Sequence, residues 1–141
     1  MKIINAQSVA LFELASEKLG SFYRHERGDK VLTAYGHRGI LGQAIYSGIA
    51  VGMKAEIGIW FDRNRGLSGR TFLRAAFHVP LIEWHCLRVT AVTRESNERA
   101  QRALVAMGFR FEASLEAWFG DEPGFMYRML RDECAWLKGR Q

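Results

Sequence analysis

Between Asp62 and Arg70 the sequence reads Asp-Arg-Asn-Arg-Gly-Leu-Ser-Gly-Arg, three arginines and two glycines in nine residues. Residues 55–61, just before it, have the β-branched and aromatic composition of a strand, and residues 70–79 have helical character. A strand that runs through a basic, glycine-containing loop into a helix can hold a phosphate. The first turn of a helix leaves backbone N–H groups without partners, and its dipole favours negative charge there. Gly66 and Gly69 allow close backbone approach, and Arg63, Arg65 and Arg70 offer charge-assisted hydrogen bonds. The segment is neither a Gly-Lys-Ser/Thr phosphate loop nor a G-x-G-x-x-G turn. Read by itself it is equally a solvated basic turn.

The charge distribution points the same way. Residues 62–110 carry nine arginines against Asp62, Glu83, Glu95 and Glu98, a net +5, while residues 1–61 contribute +2 and residues 111–141 contribute −2. The middle of the chain thus carries the whole excess, and an anionic partner is expected there. Fifteen arginines against five lysines favour planar, bidentate recognition of phosphate or carboxylate. No helix-turn-helix, zinc-finger or RRM signature accompanies them, which sets nucleic acid below a phosphorylated cofactor as the partner.

Around the loop the elements alternate. Residues 2–5 read as a strand, 8–23 as a helix with apolar residues at helical spacing, and 31–35 and 40–53 as extended segments with a turn at Gly36 and Gly39. After the helix at 70–79, which Pro80 ends or kinks, come a strand at 87–92 and a helix at 97–107. Ser96 or Asn97 can cap that last helix and Gly108 can close it, with Ala100, Ala103, Leu104 and Met107 as its apolar stripe. Strands at 109–115 and 125–130 finish the chain around a Gly120–Gly124 turn. The strand–helix–strand unit from 55 to 92 requires one parallel pair with a right-handed crossover inside a hairpin-connected sheet. The expected fold is mixed α/β, one domain over residues 1–141.

Hydrophobic residues at 48% and charged residues at 25% exclude a disordered chain. The most apolar run, 40–53, is too short and too interrupted to span a bilayer, and the opening residues lack a signal peptide's apolar stretch. A cytoplasmic location is expected. Cys86 and Cys134, with no ligand spacing around them, read as reduced core thiols, and no metal site is expected.

Two stretches together resemble the GNAT family of N-acetyltransferases. Residues 56–62 followed by Arg63-Asn64-Arg65-Gly66-Leu67-Ser68 are similar to that family's cofactor loop, Gln/Arg-x-x-Gly-x-Gly/Ala, with Ser68 in place of the second small residue. Residues 87–92, then Asn97, Ala100 and Met107-Gly108-Phe109, are similar to its next strand, its Asn-x-x-Ala/Ser helix and its closing Gly-Phe. Phe111-Glu112-Ala113-Ser114 resembles the RimJ/RimL-like branch. The likeness covers residues 54–130. It implies a mostly antiparallel twisted sheet with helices on both faces, splayed open between the strands 55–61 and 87–92. Acetyl-CoA would lie in the opening, with pyrophosphate on Arg63 to Gly69 and Arg70, the pantetheine arm along Trp60 and Phe61, and Asn97 a further contact.

The implied reaction is acetyl transfer to a primary amine, a protein N-terminus or small amine, by direct attack in a ternary complex. It requires a base for the ammonium and a proton for the leaving thiolate. Many relatives use a Tyr in the helix after the Asn; Leu104 stands at that position. Glu56 is the favoured base, with Glu83, His37, His78 and His85 as other candidates, and Ser96 as a partner for the thiolate. Tyr35, Tyr46 and Tyr127 line either the acceptor side or the core. The alternative reading is a catalytically weak or inactive GNAT-like module that binds CoA or a protein partner. A homodimer is open to either.

Overall fold

The computed structural model describes residues 1–62 and 69–138. Among them, seven strands form one sheet: β1 (Lys2–Ile4), β2 (Lys30–Gly36), β3 (Gly39–Ala50), β4 (Lys54–Phe61), β5 (Arg88–Arg94), β6 (Arg110–Leu115) and β7 (Gly124–Leu130). Their order across the sheet is β1-β2-β3-β4-β5-β7-β6. Every neighbouring pair is antiparallel except β4 and β5, which the helix α2 (Gly69–His78) joins by a crossover. This is the expected mixed sheet around one parallel unit.

Helices cover both faces. Helix α1 (Val9–Leu19) starts where the Ser8 side chain accepts a hydrogen bond from the Leu11 amide, and stops where Gly20 turns left-handed at φ 68°. Its Leu11, Phe12 and Ala15 bury against Val31 and Ile45. On the opposite face Phe72, Leu73, Ala76 and Phe77 of α2 close over Ala44, Tyr46, Ala55, Ile57 and Val89. Residues 44 and 45 fall on opposite faces because side chains alternate along a strand. Helix α3 (Glu98–Met107) adds Leu104 to the α2-side core.

Two boundaries differ from the periodicity. The apolar pattern runs on to Phe22, yet α1 ends at Leu19 and Phe22 is 66% exposed, because Gly20 supplies a stronger stop than the pattern does a continuation. Pro80 does not end α2 outright. It lacks the N–H for a normal α-helical bond, and the chain widens into a π-helical turn, Val79–Glu83, in which the Trp84 amide reaches the Val79 carbonyl.

The feature that shapes the site is where β4 and β5 stop pairing. Their register is Lys54–Arg88, Ala55–Val89 and Glu56–Thr90, and it ends there although β4 continues to Phe61 and β5 to Arg94. Beyond that point β4 remains paired with β3 as far as Phe61–Gly42, and β5 with β7 as far as Arg94–Gly124. Each strand follows its own half of the sheet, so the halves part into a V. The splay expected between these two strands is present.

Candidate functional site

Residue alternation divides β4 cleanly. Ala55, Ile57, Ile59 and Phe61 belong to the α2-side core, which leaves Glu56, Gly58 and Trp60 on the α1 side. Glu56 occupies the last paired position, at the apex of the V, part-buried, with the Ser47 hydroxyl donating to its Oε2 at 3.5 Å. Trp60 is anchored: its Nε1 donates to Gln43 Oε1 at 2.8 Å, and Lys18 Nζ lies 5.0 Å from its ring centroid. Gln43 is itself fully buried and donates to the Leu11 carbonyl and to Thr33 Oγ1, at 3.0 and 3.3 Å. One buried amide therefore ties α1, β2, β3 and β4 together behind the site.

Gly58 has a specific purpose. A Cβ there would meet Leu19 Cδ1 at 2.9 Å and the Tyr23 hydroxyl at 3.3 Å, so glycine is what lets the end of α1 and the following loop press onto the strand. Tyr23 is held by its own amide, which donates to Ser16 Oγ at 3.0 Å, while the Arg24 amide donates to buried Asp29 at 3.0 Å. Burial pushes the Tyr23 phenol above its ordinary value; the Ser21 side chain opposes this, and the Glu56 and Asp29 charges add to it. Tyr23 thus stays a protonated donor on the same face as Glu56. Sequence reasoning missed it, and the glycine inside the strand pattern was the signal that marked the close approach.

The mouth of the V is built from the ends of β4 and β5 and the starts of α2 and α3. Phe61 stacks edge-to-face on Phe72 of α2, ring centroids 5.1 Å apart. Gly69 opens α2 and Arg70 is exposed in its first turn. The loop residues Arg63, Asn64, Arg65, Gly66, Leu67 and Ser68 lie outside the described residues. Asn97, not Ser96, caps α3: its Oδ1 accepts from the Ala100 amide at 3.1 Å. Ser96 donates through both its amide and its hydroxyl to Glu122, at 2.9 and 3.0 Å. Arg94 joins the same cluster, bonded to Asp121 and Glu122 and stacked over Phe119, so the β6–β7 loop is latched to the rim of the V.

The other candidates are placed elsewhere. His37 is exposed in the β2–β3 turn, and His78 and Glu83 pair at 3.9 Å at the far end of α2, where the chain turns back to begin β5. His85 sits in that turn with φ 56°. Tyr46 is core: fully buried, its hydroxyl donates to the Ala76 carbonyl at 2.6 Å and its ring meets Trp84 edge-on. Tyr127 is buried beside Phe111, and Tyr35 packs against the α1-side core. Leu104 is buried and supplies no acid.

No protein-family profile matches the sequence, and no curated protein sequence does. Solved structures do. A point mutant of spermidine N-acetyltransferase SpeG from Vibrio cholerae superposes with a TM-score of 0.74 over 98% of this chain and 98% of its own, at 12% identity. Spermidine/spermine N-acetyltransferase SpeG from Vibrio cholerae, in complex with manganese ions, matches at 0.72 over 93% of this chain and 92% of its own, at 13% identity. The chain shares the fold of these two structures. At such identities the acetyltransferase fold accounts for the path of the backbone, and the side chains around the V must be argued on their own chemistry.

Proposed function

We propose that this chain is an acetyl-CoA-dependent N-acetyltransferase that acts on a primary amine by direct attack in a ternary complex. The observation that carries the reading is the parting of β4 and β5 immediately after Glu56 and Thr90, in a fold shared with spermidine N-acetyltransferases. Among the described residues, the part of β4 beyond Glu56 has no strand partner on its β5 side. Its backbone edge is therefore suited to the amides of a pantetheine arm, since strand groups need partners. Charge supports the fit, because the arginine-rich segment leads into the N-terminus of α2 at the mouth.

Acetyl-CoA, when bound, supplies an activated thioester carbonyl. Glu56 accepts a proton from the acceptor ammonium, and the freed amine nitrogen attacks the thioester carbon to form the new C–N bond. The C–S bond breaks, and the nitrogen's surplus proton passes to the departing thiolate, which leaves as CoA thiol. Tyr23, protonated and over Gly58 on the Glu56 side of the strand, donates a hydrogen bond to the acceptor or the departing sulfur. Asn97 is committed to the α3 amide and Ser96 to Glu122, so neither is the proton donor in this scheme. The resemblance of residues 111–114 to the RimJ/RimL-like branch keeps protein N-termini beside small amines among the acceptors. Thiol release from acetyl-CoA, followed across spermidine, other primary amines and N-terminal peptides, tests the proposal. Amine-dependent turnover is expected, and an enzyme that binds no acetyl-CoA overturns it.

Buried Leu104, where many relatives carry a Tyr acid, favours one second reading: a binding module of the same fold. CoA binding without turnover on any of these amines would select it.

A further inference from the structure

A cavity of about 950 Å³ opens on the α2 side of the sheet, and none of Glu56, Tyr23, Trp60, Gly69 or Asn97 lines it. Its walls are Ile3 and Ile4 of β1, Ala75 of α2, Val79 and Ile82 of the π-helical turn, and Trp136 from the 3-10 turn Ala135–Leu137. Trp136 is fixed in place, since its Nε1 donates to the Met107 carbonyl at 2.7 Å. Asn5, Thr71 and His78 add polar groups to the lining, and α2 also brings Arg74 to it, a half-buried residue whose Nε is buried and has no hydrogen-bond partner among the described residues. A guanidinium is charged at every physiological pH, and native proteins rarely leave such a donor buried and unpaired. Among the described residues the one carboxylate lining the cavity, Glu83, lies roughly 13 Å further along the helical path, and faces His78 instead.

The geometry points to a second ligand site here, for an organic carboxylate with an apolar body. Arg74 has the planar fork that a carboxylate fills with two hydrogen bonds, and a lysine-like point charge would not reproduce it. The apolar walls take the rest of the molecule, and the volume is that of an ordinary small-molecule pocket. An amine meets like charge at Arg74, and a neutral alcohol leaves the charge unanswered. The site is separate from the β4–β5 cleft, so it stands whether or not acetyl transfer does.

Octanoate is a suitable probe, with octylammonium and 1-octanol as controls, each titrated calorimetrically into the full chain with and without CoA. Saturable octanoate binding is expected, at least tenfold tighter than either control and unchanged by CoA. Arg74→Met should weaken it at least tenfold, and Arg74→Lys should recover only part of that. Ala75→Phe, which places a ring in the cavity beside Arg74 and keeps the guanidinium, should weaken binding at least tenfold and serves where Arg74→Met does not fold. In amide spectra octanoate should shift the Trp136 indole signal. Absent or unsaturable octanoate binding, equal binding of either control, or binding unaffected by both Arg74→Met and Ala75→Phe overturns the proposal.

Discussion

Glu56 and Thr90 face each other as the last register pair between β4 and β5, and the sheet opens immediately beyond them. The carboxylate therefore stands at the apex of the V, where an acyl group entering between the strands must stop. Thr90 is 7% exposed and Glu56 part-buried, so the apex is shielded from bulk water on the strand side. Low local dielectric makes each hydrogen bond there count for more.

Replacing Glu56 with Gln keeps its shape and its Ser47 contact but removes the proposed base. A positioned general base contributes about 10²–10⁴-fold. Steady-state kinetics of E56Q should show kcat lowered by about 10² or more, with the affinity for acetyl-CoA unchanged. A variant as fast as the parent removes Glu56 from the mechanism.

Gly58→Val should be costly for a steric reason. Its Cβ would sit 2.9 Å from Leu19 Cδ1 and 3.3 Å from the Tyr23 hydroxyl. The leucine end must swing aside and the phenol, held by its backbone, must give by a few tenths of an ångström, with the valine methyls adding to the crowding. Overpacking of this kind costs about 1–3 kcal/mol. Urea denaturation reads the loss directly, and full stability in G58V would show that α1 can retreat from the strand without penalty.

Tyr46 makes stability depend on alkaline pH. Burial pushes its phenol well above the ordinary value, with the Glu83 charge adding to the effect. Below the unfolded phenol value of about 10, both states hold the proton and the pH dependence is nil. Above it the unfolded chain loses the proton and the folded chain keeps it. Stability then falls by about 1.4 kcal/mol per pH unit for this one group, until the folded value is reached. Across the whole span from pH 9 to 11 the parent should lose about 1.4 kcal/mol more stability than Tyr46→Phe, read by equilibrium unfolding. Identical slopes would mean that the phenol ionises in place.

Much of this architecture is legible in the residues themselves. The β-branched runs at 55–61 and 87–92, with a helix between them, require a parallel pair, and the structure has it. Local punctuation also reads well where it is strong, as at Gly108, which turns left-handed at φ 107° after α3. Long-range polar choices do not read, because their partners are distant in sequence. Gln43 looks like an interruption of an apolar run, yet it is the buried amide that joins Leu11, Thr33 and Trp60. Ser96 looks like a cap or a catalytic hydroxyl, and only the fold brings Glu122 to it from 26 residues away. Tyr23 escaped notice because nothing near it in sequence announces Glu56, while the glycine that admits it lies 35 positions on.

The Ser96–Glu122 contact gives a local prediction. Glu122 is held below its ordinary carboxylate value chiefly by the Ser96 amide and hydroxyl, with Arg94 assisting. The bond is intact above the ordinary carboxylate range and is lost as pH falls through the depressed folded value. Hydrogen exchange at the Ser96 amide should be slow near neutral pH and fast in Glu122→Ala. Equal exchange in the two proteins would mean that the β6–β7 loop is not latched to α3.

The central claim, that the V between β4 and β5 receives acetyl-CoA, is tested most directly by titrating CoA into the ¹⁵N-labelled chain and following its amide spectrum. The account expects saturable shifts concentrated at residues 57–61, at Gly69 and Arg70, and at the start of α3. Their absence, or shifts confined to the outer side of α2, would contradict it.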